Sequence, residues 1–337
     1  MKKLFLLMAM ALPVCLFTAC GSDDDEDGGD APGGSMSSSV TEIKGSDGSK
    51  MRLTSDGDCR YYYDKDGNLT KMTIGSETIE ITNNPFRASS QISDNESYVI
   101  TADFNSKGYF SKVKTTAIYK GEDWASTLNK ELTFSYDNDG HLIKTVDNSK
   151  ETGEEDGEKY SYSSTKTHTY TWKDGLLTSA ESISKEMGDG ENYTKTIEVS
   201  FSYDVIYPNV SRQYTHSHTN GIDGKDSYTT LFALIGFCGK GSAQLPSSYT
   251  TVKGSYGDGE GFGYIDYGNT FTCTYTYNEN GTVKTEKCGN TYSYSYINTE
   301  NAGTVASAKL PMAKAAKQAS SLRPLFFTKR LNRNRQK

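Results

Sequence analysis

The sequence predicts an all-β protein in which an antiparallel meander of long hairpins forms one twisted, curved sheet. Three observations lead to this fold class: a hairpin motif recurs, aromatic and polar residues alternate over long segments, and segments with helical periodicity are scarce. Hydrophobic residues, tyrosine included, make up only 34% of the 337 residues, which argues against a thick multilayer α/β enzyme. The pattern is compatible with an open sheet and with one that partly closes into a barrel.

The recurring hairpin motif consists of an aromatic residue, Asp or Asn, two polar residues, Gly, a polar residue and an aliphatic residue. Long copies occupy residues 61–69, 134–142 and 275–283. Glycine in the left-handed position of a three-residue turn pairs Tyr63 with Leu69 on one face, whereas a two-residue turn would set Leu69 against Asp64. Burial of both large side chains therefore predicts the three-residue turn. A short copy has a two-residue Asp-Gly turn, which predicts that Trp172 lies opposite Leu177.

Long alternating segments between these hairpins are the predicted strands. They include residues 160–170, 197–203 and 292–296, in which Tyr and Thr suit a pleated, half-exposed surface. Helix is expected in only two places. Residues 231–237 predict a short buried helix or strand, and residues 305–320, rich in Ala and Lys, predict a weak helix followed by disorder.

The N-terminal 40 residues predict export and a lipid anchor. Two lysines precede an uncharged apolar stretch whose end, residues 16–20, resembles the lipobox of bacterial lipoproteins. The resemblance implies that residues 1–19 are a signal peptide and that Cys20 is lipidated. Residues 20–40 are predicted to be a disordered tether, and their acidic run resembles the export tag of Bacteroidetes surface lipoproteins. That resemblance implies an anchor in the outer membrane, with the protein facing the cell exterior.

Charge is unevenly distributed between the predicted domain, residues 41–300, and the basic tail, residues 301–337. The tail holds nine basic residues and no acidic ones, so the chain without its tail and signal peptide has 25 basic residues against 43 acidic ones, a net charge of −18. Such a body repels nucleic acid and anionic membranes, so we expect contact with the membrane only through the lipid anchor and no nucleic-acid partner. The oligomeric state is not predicted.

The predicted domain, from about Arg52 to Ile297, resembles known families. Its Tyr-Asp hairpins are similar to the tyrosine-aspartate repeats of bacterial shell and toxin-delivery proteins, although they are few and irregularly spaced here. Together with the lipobox, the acidic run and residues 236–240 and 245–248, they resemble the β-rich Bacteroidetes lipoproteins of the domain-of-unknown-function family numbered 4595. The resemblance implies a fold and a location, but no activity.

Chemical motifs are scarce, and the common catalytic and nucleotide-binding patterns are absent, so no catalytic residue, cofactor or metal site is predicted. His216 and His218 are expected to point the same way on an exposed strand, where zinc would need a further ligand. The segments 64–68 and 137–140 resemble calcium loops, but the predicted turn already explains their glycines. The acidic stretch 151–158 is expected to be a solvated hairpin loop. Carboxylates that converge from distant positions stay an open alternative.

Lipidation of Cys20 would leave four cysteines in the mature protein, namely Cys59, Cys238, Cys273 and Cys288. An exported protein can form disulfides, and the sequence leaves all three pairings open. Cys273 and Cys288 flank one hairpin, but the register of its three-residue turn, continued along the strands, sets Cys273 opposite Lys287. We therefore expect these two cysteines to lie on opposite faces and to remain unbridged.

The segment 254–268 is the most suggestive candidate for ligand binding. Its glycines give mobility, and its aromatic side chains offer flat faces on which a sugar or peptide could stack: Tyr256, Phe262, Tyr264 and Tyr267. A long loop whose aromatic side chains cover the sheet explains the same residues. These observations favour a non-catalytic surface lipoprotein that binds an extracellular glycan, peptide or envelope partner. A carboxylate-based glycoside hydrolase and a purely structural envelope component are the alternatives.

Overall fold

The computed structural model describes residues 38–57, 59–188, 191–219, 232–258, 261–265 and 268–299. It confirms the all-β prediction, because 65% of it is strand and helix is almost absent from these residues. The strands form an antiparallel meander in one large sheet that is curved but not closed. In the part of the chain that the structure describes, no helix is long and apolar enough to cross a membrane. The predicted signal peptide, Cys20 and the basic tail lie outside the described residues.

Short turns join most of the strands. The strands of the first half are β1 (Ile43–Lys44), β2 (Lys50–Ser55), β3 (Cys59–Tyr63), β4 (Leu69–Ile74), β5 (Glu77–Asn83), β6 (Phe86–Ser93), β7 (Glu96–Phe104), β8 (Phe110–Lys120), β9 (Trp124–Tyr136) and β10 (Leu142–Glu155). The second half contains β11 (Glu158–Lys173), β12 (Leu176–Gly188), β13 (Glu191–Ser202), β14 (Tyr207–Pro208), the one-turn helix α1 (His216–Thr219), β15 (Gln244–Leu245), β16 (Ser248–Asp258), β17 (Gly261–Ile265), β18 (Thr270–Tyr277), β19 (Val283–Cys288), β20 (Asn290–Ser293) and β21 (Ser295–Asn298).

The sheet follows the order of the chain. Each strand from β2 to β13 pairs antiparallel with the next one. β13 then pairs with β16, and the residues between them leave the large sheet to form β14, β15 and α1. β16 pairs with both β17 and β18, and the meander continues through β19 to β20. The last strand, β21, returns to β2, so strands from near the two ends of the described domain are neighbours.

The predicted turns are confirmed in every copy of the motif. The long copies set the aromatic residue opposite the aliphatic one, in the pairs Tyr63–Leu69, Tyr136–Leu142 and Tyr277–Val283. In the first copy, Asp64 N–H donates to Asn68 O at 2.9 Å, and Gly67 has a φ of +83°. This left-handed conformation is the one that the three-residue turn requires of its glycine. The short copy pairs Trp172 with Leu177, as expected.

The structure also contains a further long copy, between β7 and β8. Phe104 pairs with Phe110, Asn105 N–H donates to Tyr109 O at 2.8 Å, and Gly108 has a φ of +79°. The motif as defined from the sequence excludes this segment because an aromatic residue, Phe110, follows the turn where the other copies have an aliphatic one. The requirement is therefore a large apolar side chain of either kind.

A β-bulge follows the turn in each copy and changes the register that the sequence predicts. Leu69 pairs with Tyr63, but the next pair is Lys71 with Tyr62, so one residue is left over in β4. The extra residue shifts the strand by one position, and the next buried residue is Met72 rather than Lys71. Buried positions after each turn are therefore spaced by three. The spacing is visible in Leu69 and Met72, Phe110 and Val113, Leu142 and Thr145, Leu177 and Ala180, and Val283 and Glu286.

This bulge overturns the expectation that Cys273 and Cys288 stay unbridged. In the last hairpin Tyr277 pairs with Val283 but Thr276 pairs with Thr285, so Lys284 is the extra residue. The shift brings Cys273 opposite Cys288 instead of Lys287, with their Cα atoms 4.3 Å apart, and the two form a disulfide. Cys59 and Cys238 do not take part in this disulfide, and both residues are buried.

A phenylalanine cluster forms one part of the core. Phe86, Phe104 and Phe110 come from β6, β7 and β8, and they pack against Phe232 and Phe237. The ring centroids of Phe110 and Phe237 are 5.0 Å apart, and Phe110 N–H donates to Phe237 O at 2.9 Å. Residues 232–234 are helical, which confirms the helical alternative for this segment. We call residues 209–219 and 232–243, which lie between β14 and β15, the inserted segment.

Candidate functional site

Inward positions of the long strands change from apolar to polar with distance from the phenylalanine cluster. Cross-strand partners form rows that run across the sheet. One inward-facing row contains Thr145, His168 and Ser182, and the neighbouring inward-facing row contains Asp147, Lys166 and Ser184. We call this surface the inner polar strip. Its members are Lys130 from β9; Asp147, Ser149 and Glu151 from β10; Tyr160, Tyr162, Ser164, Lys166 and His168 from β11; Ser182, Ser184 and Glu186 from β12; and Lys195 from β13.

Cross-strand polar contacts hold the strip together. Lys130 Nζ lies 2.6 Å from Asp147 Oδ2, and both side chains are partly shielded from solvent. The Ser149 and Ser164 hydroxyls are 2.7 Å apart and form a hydrogen bond. Because these groups sit on rigid strands and face one side of the sheet, they present donors and acceptors in a fixed array.

Glu151 is the most deeply buried charged group of the strip, which corrects the expectation that the whole acidic stretch is solvated. The turn at Asp156 and Gly157 does form the tip of the β10–β11 hairpin, but Glu151 lies further along β10 and is only 2% exposed. Its Oε1 accepts a hydrogen bond of 3.4 Å from the Tyr160 hydroxyl. Burial raises the pKa of Glu151, and the hydroxyls of Ser126 and Tyr160 oppose that shift.

Further carboxylates gather near this end of the strip. Burial raises the pKa of Tyr119 in β8, and the negative charges of Glu96, Glu151 and Glu77 raise it further. The Tyr98 hydroxyl donates a hydrogen bond to Glu77 Oε1. Strands β5, β7 and β10 therefore direct acidic groups toward one tyrosine on β8, although these glutamates are far apart in the sequence. This convergence is of the kind that the sequence left open.

Gly153 explains how Tyr160 fits over this end of the strip. A Cβ atom built on Gly153 would lie 2.5 Å from both Cζ and Oη of Tyr160 and 2.5 Å from Ala125 O. Gly153 and Tyr160 are direct cross-strand partners, so the ring crosses the glycine and its hydroxyl reaches Glu151. Any larger residue at position 153 would displace the ring.

The predicted ligand-binding aromatics lie in a hairpin rather than in a loop. Tyr256 of β16 pairs with Gly263, whereas Phe262 and Tyr264 of β17 pair with Gly257 and Ser255. Because strand residues alternate between faces, positions 262 and 264 share one face and position 256 lies on the other. Position 256 also pairs with Lys195 of β13, which places it in a row with the inner polar strip. Tyr267 lies outside the described residues.

His216 and His218 are not on an exposed strand, which corrects that expectation. They lie in helix α1, where residues two apart point in different directions, and both are buried. His218 Nδ1 accepts from Thr215 N–H at 3.3 Å, and burial lowers the pKa of His218 to about 3. His216 stacks on Tyr292 with centroids 3.7 Å apart. The arrangement does not bring the two imidazoles to a common ligand position.

A buried network attaches helix α1 to the sheet. Glu286 of β19 accepts hydrogen bonds from Ser217 N–H at 2.7 Å and His216 N–H at 3.1 Å, and from the Tyr294 hydroxyl at 2.5 Å. Nε2 of His216 lies 3.6 Å from Asp56 Oδ2. Both acids are fully buried, so these contacts serve to anchor the inserted segment.

Asp137, Asp139 and His141 are the one group of His, Cys, Asp and Glu residues, within the described ranges, whose ligand atoms lie within 4.8 Å of one another. The hairpin turn accounts for this proximity. Asp137 Oδ1 accepts from His141 N–H at 2.8 Å, and Asp137 Oδ2 lies 2.9 Å from His141 Nδ1. His141 also stacks on Trp172 with centroids 4.3 Å apart. The group is therefore part of the turn and its packing.

Comparisons with known proteins identify structural neighbours but no family. No protein-family model and no curated protein matches the chain, so the resemblance to the family numbered 4595 is not confirmed. A porin-like protein from Bacteroides vulgatus is 13% identical with a TM-score of 0.44, covering 71% of this chain and 92% of that chain. A porin-like protein from Bacteroides uniformis is 17% identical with a TM-score of 0.35, covering 76% and 94%. Similarity at this level assigns no function.

Proposed function

We propose that this protein is a non-catalytic surface lipoprotein that binds an extracellular glycan or peptide along the inner polar strip. The observation that carries the proposal is the continuous set of inward-facing hydroxyl, charged and tyrosine side chains on β9 to β13. Binding sites commonly combine aromatic surface with a few oriented polar groups, and the strip offers both. Position 256 extends the strip from Lys195 onto β16.

The proposed location rests on the sequence of the N-terminus. Cys20 would carry the lipid, and the acidic tether would place the domain outside the outer membrane. Radioactive palmitate should label the parent protein and fail to label Cys20→Ala. External protease should digest the domain on intact cells that produce the parent protein. Labelling of Cys20→Ala to the parent level would contradict the lipid anchor.

A glycoside hydrolase is the second candidate, and one observation favours it. Glu151 is a buried carboxyl with a raised pKa, which is the property of a general acid, and Glu77 and Glu96 supply further carboxylates around Tyr119. Enzyme activity would therefore use the same end of the strip. Release of a product separates this candidate from simple binding.

The proposed function is tested with the full chain in detergent on polysaccharide and peptide arrays, with binding and product release measured on the same samples. Lys166→Ala removes a charge from the strip, and Lys185→Ala removes one from an exposed position on the neighbouring strand β12. We expect Lys166→Ala to weaken binding at least fivefold and Lys185→Ala to leave it within twofold. Product release would favour the hydrolase. An absence of both binding and release would favour a structural envelope component.

A further inference from the structure

The segment that follows β13 exposes three aliphatic side chains, which we call the apolar patch. Val205, Ile206 and Val210 are 50%, 76% and 43% exposed, and Ile206 is the most exposed large hydrophobic residue that the structure describes. The backbone between them is held in place, because Asn209 is 2% exposed and its side-chain amide donates to Gln213 O at 2.8 Å. Apolar side chains that an ordered backbone holds in solvent indicate a contact surface.

The apolar patch lies at the end of the sheet that carries the turns of the hairpin motif, which we call the motif end. The motif turns are alternate turns of the meander, so they share one end of the sheet, and β13 ends there as well. A Cβ atom built on Gly281, in the last motif turn, would lie 3.3 Å from Val210 Cγ2 and 3.1 Å from Ser46 Oγ. Ser46 N–H also donates to Asn280 O at 2.8 Å. The patch therefore adjoins the turn that precedes β2.

Both ends of the described domain lie at the motif end too. Met51 of β2 pairs with Ile43 of β1 on one side and with Asn298 of β21 on the other. The predicted tether therefore joins the domain at the end that carries the apolar patch, and the C-terminal tail leaves it there. The sequence of that tail combines nine basic residues with the apolar run 325–327, all outside the described residues.

We infer that the apolar patch enters the surface of the lipid bilayer that anchors the protein. This inference rests on the lipid anchor of the proposed function and adds a second contact, which orients the domain. A flexible tether of the seventeen residues between Cys20 and Ser38 spans about 23 Å, whereas the 16 residues of β11 are about 53 Å long. A lipid on Cys20 would therefore hold the motif end closer to the bilayer than the far ends of the long strands.

A bilayer fits the patch better than a second copy of the chain. Three aliphatic side chains supply only a small part of the roughly 800 Å² that each partner buries in a stable protein interface. A lipid anchor gains from exactly such a small second signal, and basic residues close to a membrane are attracted to anionic headgroups. The resulting orientation directs the rows of the inner polar strip that lie farthest from the motif end away from the membrane, toward extracellular ligands.

Fluorescence quenching on the full, lipidated chain in phosphatidylcholine vesicles tests the contact. A nitrobenzoxadiazole dye is attached to Ile206→Cys or to the control Met187→Cys, and nitroxide-labelled phosphatidylcholine is the quencher. Met187 is also apolar and 59% exposed, but it lies at the opposite end of the sheet, near the turn between β12 and β13. The parent protein, whose Cys59 and Cys238 are buried, corrects for background labelling. We expect the quencher to lower the emission at position 206 at least twofold and at position 187 by less than a tenth.

A second pair of variants tests whether the apolar side chains make the contact. With the dye on Val210→Cys, Ile206→Asp should reduce the quenching at least twofold. The control Ile118→Asp, at an exposed position of β8, should leave the quenching unchanged. Equal quenching with Ile206→Asp and Ile118→Asp would overturn the inference, because the tether alone would then account for the proximity to lipid.

The remaining outcomes separate the contact from the proposed lipid anchor. Equal quenching at positions 206 and 187 would overturn the contact. Emission at position 206 that responds to the density of protein in the vesicles, but not to the nitroxide lipid, would also overturn it and assign the patch to a second copy of the chain. Palmitate labelling that depends on Cys20, together with no quenching at position 206, would overturn the contact and leave the proposed function standing. An absence of both palmitate labelling and vesicle association would overturn the contact and the lipid anchor together.

Discussion

The inner side of the sheet has two regions that belong to the same meander but differ in their partners. On β6, β7 and β8 the inserted segment contributes Phe232 and Phe237, and the facing positions are phenylalanines. On β9 to β13 the strip positions carry Ser, Lys, Asp, Glu and Tyr, whose partners come from neighbouring strands. Strand alternation is the same in both regions. The difference shows that apolar side chains occupy the inner face where a second apolar layer covers it.

The comparison also separates two uses of buried charge. Glu286 is satisfied by backbone N–H groups of α1 and by the Tyr294 hydroxyl, so it fastens the inserted segment to the sheet. Glu151 is also buried, at 2% exposed, and its partners are the hydroxyls of Ser126 and Tyr160 on the neighbouring strands. Backbone donors fix Glu286 to one element of the fold, whereas Glu151 keeps a raised pKa among side-chain hydroxyls, and perturbed pKa values are concentrated at functional sites.

The largest expected effect is a loss of stability, and it should be much greater in the phenylalanine cluster than in the inner polar strip. Phe110→Ala should lower the free energy of unfolding by about 3–5 kcal/mol, because its ring is 1% exposed and contacts the rings of Phe232 and Phe237. Tyr162→Ala in the strip should cost about 1 kcal/mol or less, since Tyr162 is only partly buried. Urea denaturation measures both values. Equal losses would mean that the strip is packed like the core.

The second prediction concerns the buried carboxylate that holds α1. Glu286→Ala should lower the free energy of unfolding by about 3–5 kcal/mol, because it leaves two backbone N–H groups and the Tyr294 hydroxyl without their acceptor. The control is Glu181→Ala, at an exposed position of β12, which should stay within about 0.5 kcal/mol of the parent. Retention of parental stability by Glu286→Ala would contradict the anchoring role.

The third prediction tests the register of the last hairpin. The double variant Cys273→Ala, Cys288→Ala should lose about 3 kcal/mol of stability, because the disulfide closes a loop with a sequence separation of 15 residues. Dithiothreitol should destabilise the parent by a similar amount and leave the double variant unchanged. Peptide mapping that links Cys273 to any residue other than Cys288 would contradict the bulge at Lys284.

The fourth prediction is a pH dependence that originates at α1. Burial lowers the pKa of His218 to about 3, from 6.5 in the unfolded chain, so the unfolded state binds a proton that the folded state excludes between these values. Stability should therefore fall as the pH decreases from 6.5 toward 3. The raised pKa of Glu151 contributes with the opposite sign.

Comparison with His218→Asn isolates this contribution. Asparagine keeps an acceptor for the Thr215 N–H group but does not titrate in this range. The stability difference between parent and variant, measured by thermal unfolding at each pH, should shift against the parent as the pH falls. A difference that is independent of pH would show that His218 titrates normally in the folded protein.

The smallest expected effect concerns the hairpin of β16 and β17. Phe262→Ala with Tyr264→Ala should weaken ligand binding by about 1–3 kcal/mol if those two rings stack on the ligand. Tyr256→Ala tests the opposite face, in the row of the inner polar strip. If the double variant folds normally and keeps the parental affinity while Tyr256→Ala loses affinity, the binding site lies on the strip and not on the opposite face of the hairpin.

The turns could be predicted from the sequence because their determinants are local. Gly67 follows Asp64 at the spacing that a three-residue turn demands, and the pair Tyr63 and Leu69 selects that turn by shared burial. The hairpin at Phe104 lies outside the motif because the large apolar residue after its turn, Phe110, is aromatic rather than aliphatic. The three-residue spacing of Leu69 and Met72 in the sequence indicates the bulge of the first hairpin. In the last hairpin the equivalent of Met72 is Glu286, and a charged residue does not indicate a buried position.

The sequence by itself therefore determined the fold class, the turns and the hairpin order, since alternation and turn chemistry act between residues that are close along the chain. Only the tertiary structure decided the bridge between Cys273 and Cys288, because one extra residue at Lys284 moves every later pair by one position. It also decided that Glu151 is buried and Glu154 exposed, although both belong to one acidic stretch of the sequence. Burial depends on which strands lie beside a residue, and distant segments supply those strands.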